Sequence, residues 1–219
     1  MKYFTKLFII VLSVIIIFSC AYFKTIKEGL TNKNNIVLLG DSIINNANYV
    51  PPGKSVVDIL KSKSTNVFNF AKDGAIISNL YTQLDLVPLD LNRSETYLFI
   101  SAGGNDILNK HRKLSETEVK QLFNTYMDFL TALQERLGSV KVNILNLYLP
   151  SSADPRFKIY RESVQQWNRL LEENSTTIGR IYNIIDIYSL LTTADDFVKG
   201  VEPSVTASPK IANAIYYVD

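Results

Sequence analysis

The sequence holds one cysteine, Cys20, and one histidine, His111. A lone cysteine makes no intrachain disulfide and no cysteine-based metal site. A lone histidine likewise excludes a histidine-cluster metal site. Neither Walker A nor G-x-G-x-x-G occurs, so the phosphate-cradling loops of nucleotide-binding modules are missing. Neither a metal nor an organic cofactor is implied. The net charge is only +2 and the lysines are scattered, with no basic stripe of the kind that tracks nucleic acid. Internal repeats and low-complexity tracts are absent. Charged residues are few, 20% against 47% apolar, which is the balance of a folded chain and not a disordered one.

What is present begins with an uncharged run, Leu7 to Phe23, behind Lys2 and Lys6 and ahead of Lys24, Lys27 and Glu28. Its seventeen residues are short for a bilayer span and long for a signal-peptide core. Three readings compete. The first is an uncleaved signal anchor that holds the protein at a membrane by a single N-terminal helix. The second is a cleaved signal, with Ser19 and Ala21 as the small residues, giving a secreted protein. The third is a lipid on Cys20. Residues 1–34 are thus assigned to this segment and a polar linker, and residues 35–219 to one domain, a normal size for a single core.

In that domain short apolar runs alternate with amphipathic stretches. Ile36–Leu39, Val67–Phe70, Tyr97–Ile100, Val142–Leu147 and Ile181–Ile187 read as buried strands. Ser115 and Glu118 form a capping box ahead of Val119, Leu122, Phe123, Tyr126, Leu130, Leu133 and Leu137 at helical spacing, and Gly138 ends the run. Asp154-Pro155 starts another helix, with Tyr160, Val164, Trp167 and Leu171 on one face. Ser208-Pro209 starts a last one, with Ile211 and Ile215 facing in. Strand alternating with helix predicts α/β class: a parallel sheet of about five strands with helices on both faces. In such sheets ligands bind beyond the carboxyl ends of the strands.

Function is therefore sought where strands end. Gly40-Asp41-Ser42-Ile43 follows the first strand. The second leads into Ala71-Lys72-Asp73-Gly74-Ala75, and the third into Gly103-Gly104-Asn105-Asp106. Val201-Glu202-Pro203-Ser204 precedes the last helix. Each alone has a plain reading: Ser42 could cap a helix, and Asn105 could shape a turn. In this order and at these places they resemble the SGNH hydrolases, also called GDSL esterases/lipases, over about Asn35 to Tyr217. The resemblance implies a flavodoxin-like three-layer α/β/α fold. It implies ester hydrolysis through an acyl-serine intermediate, with Ser42 as nucleophile. The oxyanion hole would comprise the backbone N–H groups of Ser42 and Gly74 and the side-chain amide of Asn105. Such a donor can be worth about 3 kcal/mol of barrier. The implied partner is an ester-containing small molecule, a lipid or an acetylated glycan.

The family's last block, Asp-x-x-His-Pro, is altered. Lys199 stands in place of the aspartate and Glu202 in place of the histidine, ahead of Pro203. Three explanations are open. Glu202 could be the base: a carboxylate is ordinarily about two pH units more acidic than imidazole, so burial would have to raise its pKa, and an ion pair with Lys199 would lower it. His111, six residues after Asn105, could serve from another loop. Or the domain is catalytically degenerate and binds an acyl or glycan ligand at a membrane without cleaving it. Asp106, Asp195 and Asp196 read as turn and solvation residues, with Asp196 a second candidate for orienting a base. Tyr148-Leu149-Pro150 reads as a strand stop, with pocket lining the other option.

Overall fold

Ile36, Val37, Leu38 and Leu39 are wholly buried, so the strand that carries them is covered on both faces. A near-continuous apolar run of this kind is the mark of a central parallel strand. This strand, β1 (Asn35–Leu39), is flanked by β2 (Val67–Asn69) and β3 (Thr96–Ile100). The sheet continues through β4 (Lys141–Leu145) to β5 (Ile181–Ile185), in the order β2-β1-β3-β4-β5, and every pairing is parallel. The computed structural model describes residues 35–64, 66–150, 154–175 and 181–218. The segment 1–34, with its expected anchor, signal or lipid site, lies outside the described residues. Among the described residues no helix is long and apolar enough to cross a membrane.

Parallel strands need crossovers, and helices supply them. The crossover helices are α1 (Val56–Lys63), α2 (Ile77–Asp85), α3 (Gly104–Leu108), α4 (Glu116–Arg136) and α5 (Arg161–Asn174), and α6 (Ala207–Tyr216) follows the last strand. Helices α1 and α6 pack together as one layer, and α4 packs against both α2 and α5 in the other. The three-layer α/β/α architecture expected from the sequence is the one observed. The Ser115–Glu118 capping box forms as expected, and a second, Ser55–Asp58, opens α1. Tyr160, Val164, Trp167 and Leu171 are all buried, although Pro155–Tyr160 is a 3₁₀ stretch and α5 proper starts at Arg161. Helix α6 begins at Ala207, one residue before the expected start, which places Pro209 in its first turn where no N–H is needed.

Strand β4 stops two residues before the apolar run does. Asn168, on α5, donates to the Leu147 carbonyl at 2.7 Å and accepts from the Leu147 N–H at 2.9 Å. A side chain thus satisfies the backbone that the sheet would otherwise have paired. A further element has no sequence signal at all. β6 (Phe197–Val198) and β7 (Glu202–Pro203) form a small antiparallel hairpin whose turn places Lys199 at φ 53° and Gly200 at φ 81°. Two-residue strands show no periodicity, and lysine rarely takes a left-handed conformation.

The strand order reverses between β1 and β3, and there the chain is tightest. A Cβ on Gly40 would lie 2.2 Å from the Ser101 carbonyl oxygen, so only glycine fits. Gln83, buried on α2, accepts from the Gly40 N–H at 2.6 Å and donates to its carbonyl at 2.9 Å. Gln83→Met keeps the volume and loses both bonds. It is expected to lower unfolding free energy by about 1–3 kcal/mol, since the buried Gly40 N–H loses its partner while the carbonyl keeps the Lys72 N–H. Urea unfolding of the purified chain checks this; an unchanged midpoint would show that Gly40 is held without Gln83.

Candidate active site

The switch from β2-β1 to β3-β4 opens a crevice at the carboxyl edge of the sheet, where ligands bind in folds of this kind. Directly after Gly40 the chain makes one tight turn, with the N–H groups of Ile44 and Asn45 bonded to the Asp41 carbonyl. The Asp41 carboxylate accepts from the Ile43 N–H at 3.0 Å and from the Ser101 hydroxyl at 2.8 Å. Asp41 therefore caps this turn, and Ser42 is left free of that duty. Ser42 is only 6% exposed and faces a cleft of about 470 Å³, counted to include space open to solvent.

Asn105 and Glu202 line the same cleft. Asn105 stands in the first turn of α3 and donates to the Ala75 carbonyl at 2.9 Å. Its neighbour Asp106 accepts from the Ile77 N–H at 3.1 Å and so caps α2, a long-range contact and not the local turn or solvation role expected of it. Gly74 lies one residue before Ala75 at φ 74°, outside the lining of the cleft and joined to it through the Asn105–Ala75 bond. Ser42, Asn105 and Glu202 thus converge on one cavity, with Gly74 beside it. His111 is exposed and does not line the cleft.

Glu202 projects from the β6–β7 hairpin. Tyr148 donates to the Val201 carbonyl at 2.6 Å, and its ring packs on Phe197 at 5.2 Å. On the other side Asn46 donates to the Pro203 carbonyl at 3.1 Å and accepts from the Val56 N–H at 2.9 Å. Tyr148 and Pro150 both line the cleft, so this stretch is pocket wall and not merely a strand stop. Asp196 does not orient a base. It is fully buried and engaged by Lys210 at 2.6 Å and by the N–H groups of Thr192 and Thr193 at 3.0 and 2.9 Å. Asp195 is exposed.

Burial pushes the Glu202 carboxyl above the usual carboxylate range. The Ser42 hydroxyl opposes this, the Asp73 carboxylate adds to it, and Tyr49 and, last, Lys199 oppose it. Lys199 does not dominate, because its ammonium sits over the Tyr49 ring, 5.0 Å from the centroid. One Glu202 oxygen, Oε2, is buried without a hydrogen-bond partner among the described residues. Beyond these polar groups the cleft is apolar, walled by Ile107, Leu108, Leu147 and Val164. Among the described residues no group of three or more acidic, histidine or cysteine side chains could hold a metal ion.

Sequence reasoning missed Gln83, Ser101, Asn46 and Tyr49. None sits in a motif, and each acts through a partner at least 24 residues away.

The sequence model of the GDSL-like lipase/acylhydrolase family matches residues 36–215. The chain belongs to that family of lipases and acylhydrolases. Among solved structures it is similar to a lipolytic G-D-S-L family protein from Veillonella parvula, with 23% identity and a TM-score of 0.58 over 82% of this chain and 94% of that one. It is likewise similar to a lipase/acylhydrolase from Enterococcus faecalis, with 20% identity and a TM-score of 0.60 over 83% and 93%. At these identities the likeness concerns the fold. No curated protein matches the sequence.

Asp41 yields a prediction about stability. Its carboxyl is pushed up from 3.8 to about 6, chiefly by burial, against the bonds from Ser101 and Ile43 and helped by the charges of Glu202 and Asp106. The folded state thus holds this proton more tightly than the unfolded one, so this group's contribution falls as pH rises from about 4 to about 6 and stays unfavourable above. At ~1.4 kcal/mol per pH unit the penalty is about 3 kcal/mol at most. Asp41→Asn keeps an oxygen for Ser101 and Ile43 and removes the charge. It is expected to stabilise the protein at pH 8 by up to about 3 kcal/mol and to give no gain near pH 4. Denaturant unfolding at the two pH values measures this; an equal effect at both would mean that the charge is not what costs stability.

Proposed function

We propose that this chain is a serine esterase of the SGNH type in which Glu202 replaces histidine as the general base. The reading rests on one observation: Ser42, Asn105 and a half-buried Glu202 line a single cleft at the strand-order switch. Glu202 takes the Ser42 proton as Oγ attacks the ester carbonyl. The O–H bond breaks, the Oγ–C bond forms, and the oxyanion is received by the Ser42 and Gly74 N–H groups and the Asn105 amide. Collapse breaks the bond to the leaving alkoxide, which takes the proton from Glu202. Water then attacks the acyl-serine, giving its proton to Glu202, and the acid departs as Ser42 is reprotonated.

Desolvation is what makes a carboxylate usable here. An ordinary glutamate is a poor base for serine, and at neutral pH it is a poorer acid for the leaving group. Raising its pKa improves both steps. The base works only as the carboxylate, so the rate rises with pH through the Glu202 pKa, at a pH above the ordinary carboxylate range. The apolar wall beyond Ser42 suits an acyl chain, so the substrate is an ester of a small molecule, a lipid or an acetylated glycan. The proposal includes tethering at a membrane, or export, by the segment 1–34.

Hydrolysis of short p-nitrophenyl esters by the full chain from acidic to alkaline pH provides the test. Ser42→Ala and Glu202→Gln are each expected to lose about a thousandfold or more. Asn105→Ala is expected to lose about a hundredfold, and His111→Ala nothing. Loss in His111→Ala with Glu202→Gln active would make His111 the base. Wild type no better than Ser42→Ala on short, lipid and sugar esters at every pH would instead support a binding domain for an acyl or glycan ligand.

A further inference from the structure

Replacing histidine by Glu202 removes more than a base. In the pattern this family resembles, an aspartate orients the histidine, and Lys199 stands at that place. Lysine cannot do the work from there, because its ammonium lies over the Tyr49 ring. A glutamate side chain has more rotatable bonds than an imidazole and needs at least as much restraint. Some other group must hold it.

The loop between β1 and α1 offers that group. Asn46 fixes this loop against the hairpin by its bond to the Pro203 carbonyl, the residue next to Glu202, and by a second bond to the Ser208 hydroxyl at 2.7 Å. Three residues on, the Tyr49 N–H bonds the Asn46 carbonyl at 3.0 Å, so the Tyr49 backbone is tied to the same anchor. The Tyr49 hydroxyl reaches both oxygens of Asp73, at 2.8 and 2.7 Å. Asn48 reaches Asp73 as well, at 3.4 Å. Asp73 belongs to the loop after β2 that also carries Gly74. Tyr49 is therefore pinned at its backbone, at its ring by Lys199 and at its hydroxyl by Asp73. Glu202 keeps one buried oxygen without a partner among the described residues.

We propose that Tyr49 is the positioning residue for Glu202, and that the Tyr49–Asp73 pair takes the place of the aspartate that orients a histidine base. This inference rests on the reading of Glu202 as the base. A phenol has one proton to give, and two carboxylates compete for it here. With Glu202 ionised, Tyr49 shares its proton with Glu202 and holds it facing Ser42. Once Glu202 has taken the serine proton it needs no donor, and the Tyr49 proton bonds Asp73 alone. No bond other than a hydrogen bond changes at Tyr49, and no charge is gained or lost there.

The groups that face Glu202 determine what each substitution does. They are Ser42 and Asp41 from the end of β1, Tyr49 from its loop, Asp73 from the loop after β2, Tyr148 from the end of β4, and Lys199 from the hairpin itself. Tyr49 favours the Glu202 carboxylate and Asp73 disfavours it. Tyr49→Phe keeps the ring under Lys199 and removes the proton donor. Asp73→Asn keeps an acceptor for Tyr49 and removes the competing charge. The two substitutions should therefore displace the acid side of the pH–rate profile in opposite directions.

The experiment compares kcat and KM for p-nitrophenyl acetate against pH in the full chain, for wild type, Tyr49→Phe, Asp73→Asn and Glu202→Gln, with thermal melts of each. Tyr49→Phe is expected to lose about tenfold in kcat with KM unchanged within about twofold, and its acid limb should move to higher pH. Asp73→Asn should move that limb to lower pH. If Tyr49→Phe fails to fold, the limb of Asp73→Asn decides: a downward shift supports the proposal, and an unmoved limb overturns it. An inactive Glu202→Gln beside a Tyr49→Phe that matches wild type in kcat and limb would retain the base and refute Tyr49 as its support. A fully active Glu202→Gln would remove the base reading itself.

Discussion

Everything at this site depends on how closely β1 and β3 approach where the sheet changes direction. Gly40 lies against the Ser101 backbone with no room for a side-chain carbon, and Gln83 clamps it in both senses. From that contact the next residues follow. The Ser101 hydroxyl accepts from the Asp41 N–H at 3.1 Å and donates to the Asp41 carboxylate. Asp41 then caps the turn that presents Ser42. The position of Ser42 is thus set by a buried network in which Ser42 itself takes no structural part. A loosening at Gly40 would reach Ser42 within two residues.

Two carboxyls line the cleft with Ser42, Asp41 buried and Glu202 half-buried; both are elevated, and the influences on Asp41 include no basic group. Asp196 is the contrasting case. Burial would raise it, yet Lys210 and Thr193 outweigh that and hold it below the usual range. One carboxylate is used to join the hairpin region to α6, and it is paired and quiet. The others face the cleft and are costly to ionise. Natural sites commonly carry such a cost where chemistry needs it, since a desolvated carboxyl exchanges protons near neutrality where a solvated one does not.

The hairpin that carries Glu202 is small, and its own pairing is too short to fix it. It is held from three sides: by Tyr148 from the end of β4, by Asn46 from the loop after β1, and by Ser204, whose N–H bonds the Asp196 carbonyl at 2.9 Å. Each anchor comes from a different part of the chain. Glu202 is therefore positioned by the assembled sheet, and the short strands act as a mount for its side chain.

The sequence by itself determined the layers and the strand ends. Ile36–Leu39 and Tyr97–Ile100 are apolar without interruption, which only a doubly covered strand tolerates, and glycines follow strands where the backbone must turn sharply. Those local signals place Ser42 and Asn105 just beyond strand ends; that they belong with Gly74 and Glu202 in one site is what the resemblance to the SGNH hydrolases implied. Tertiary structure alone decided the rest. That Gln83 clamps Gly40, that Asn46 braces Pro203 and that Tyr49 pairs with Asp73 are contacts between polar side chains far apart in sequence, on elements whose apolar patterns say nothing about them. Burial of Glu202 is of the same kind. A glutamate reads as a solvated charge in any sequence, and it becomes an elevated carboxyl only when the folded cleft takes it partly out of water and brings Asp73 near it. Periodicity records which face of an element is buried; it does not record which polar group on another element will meet it there.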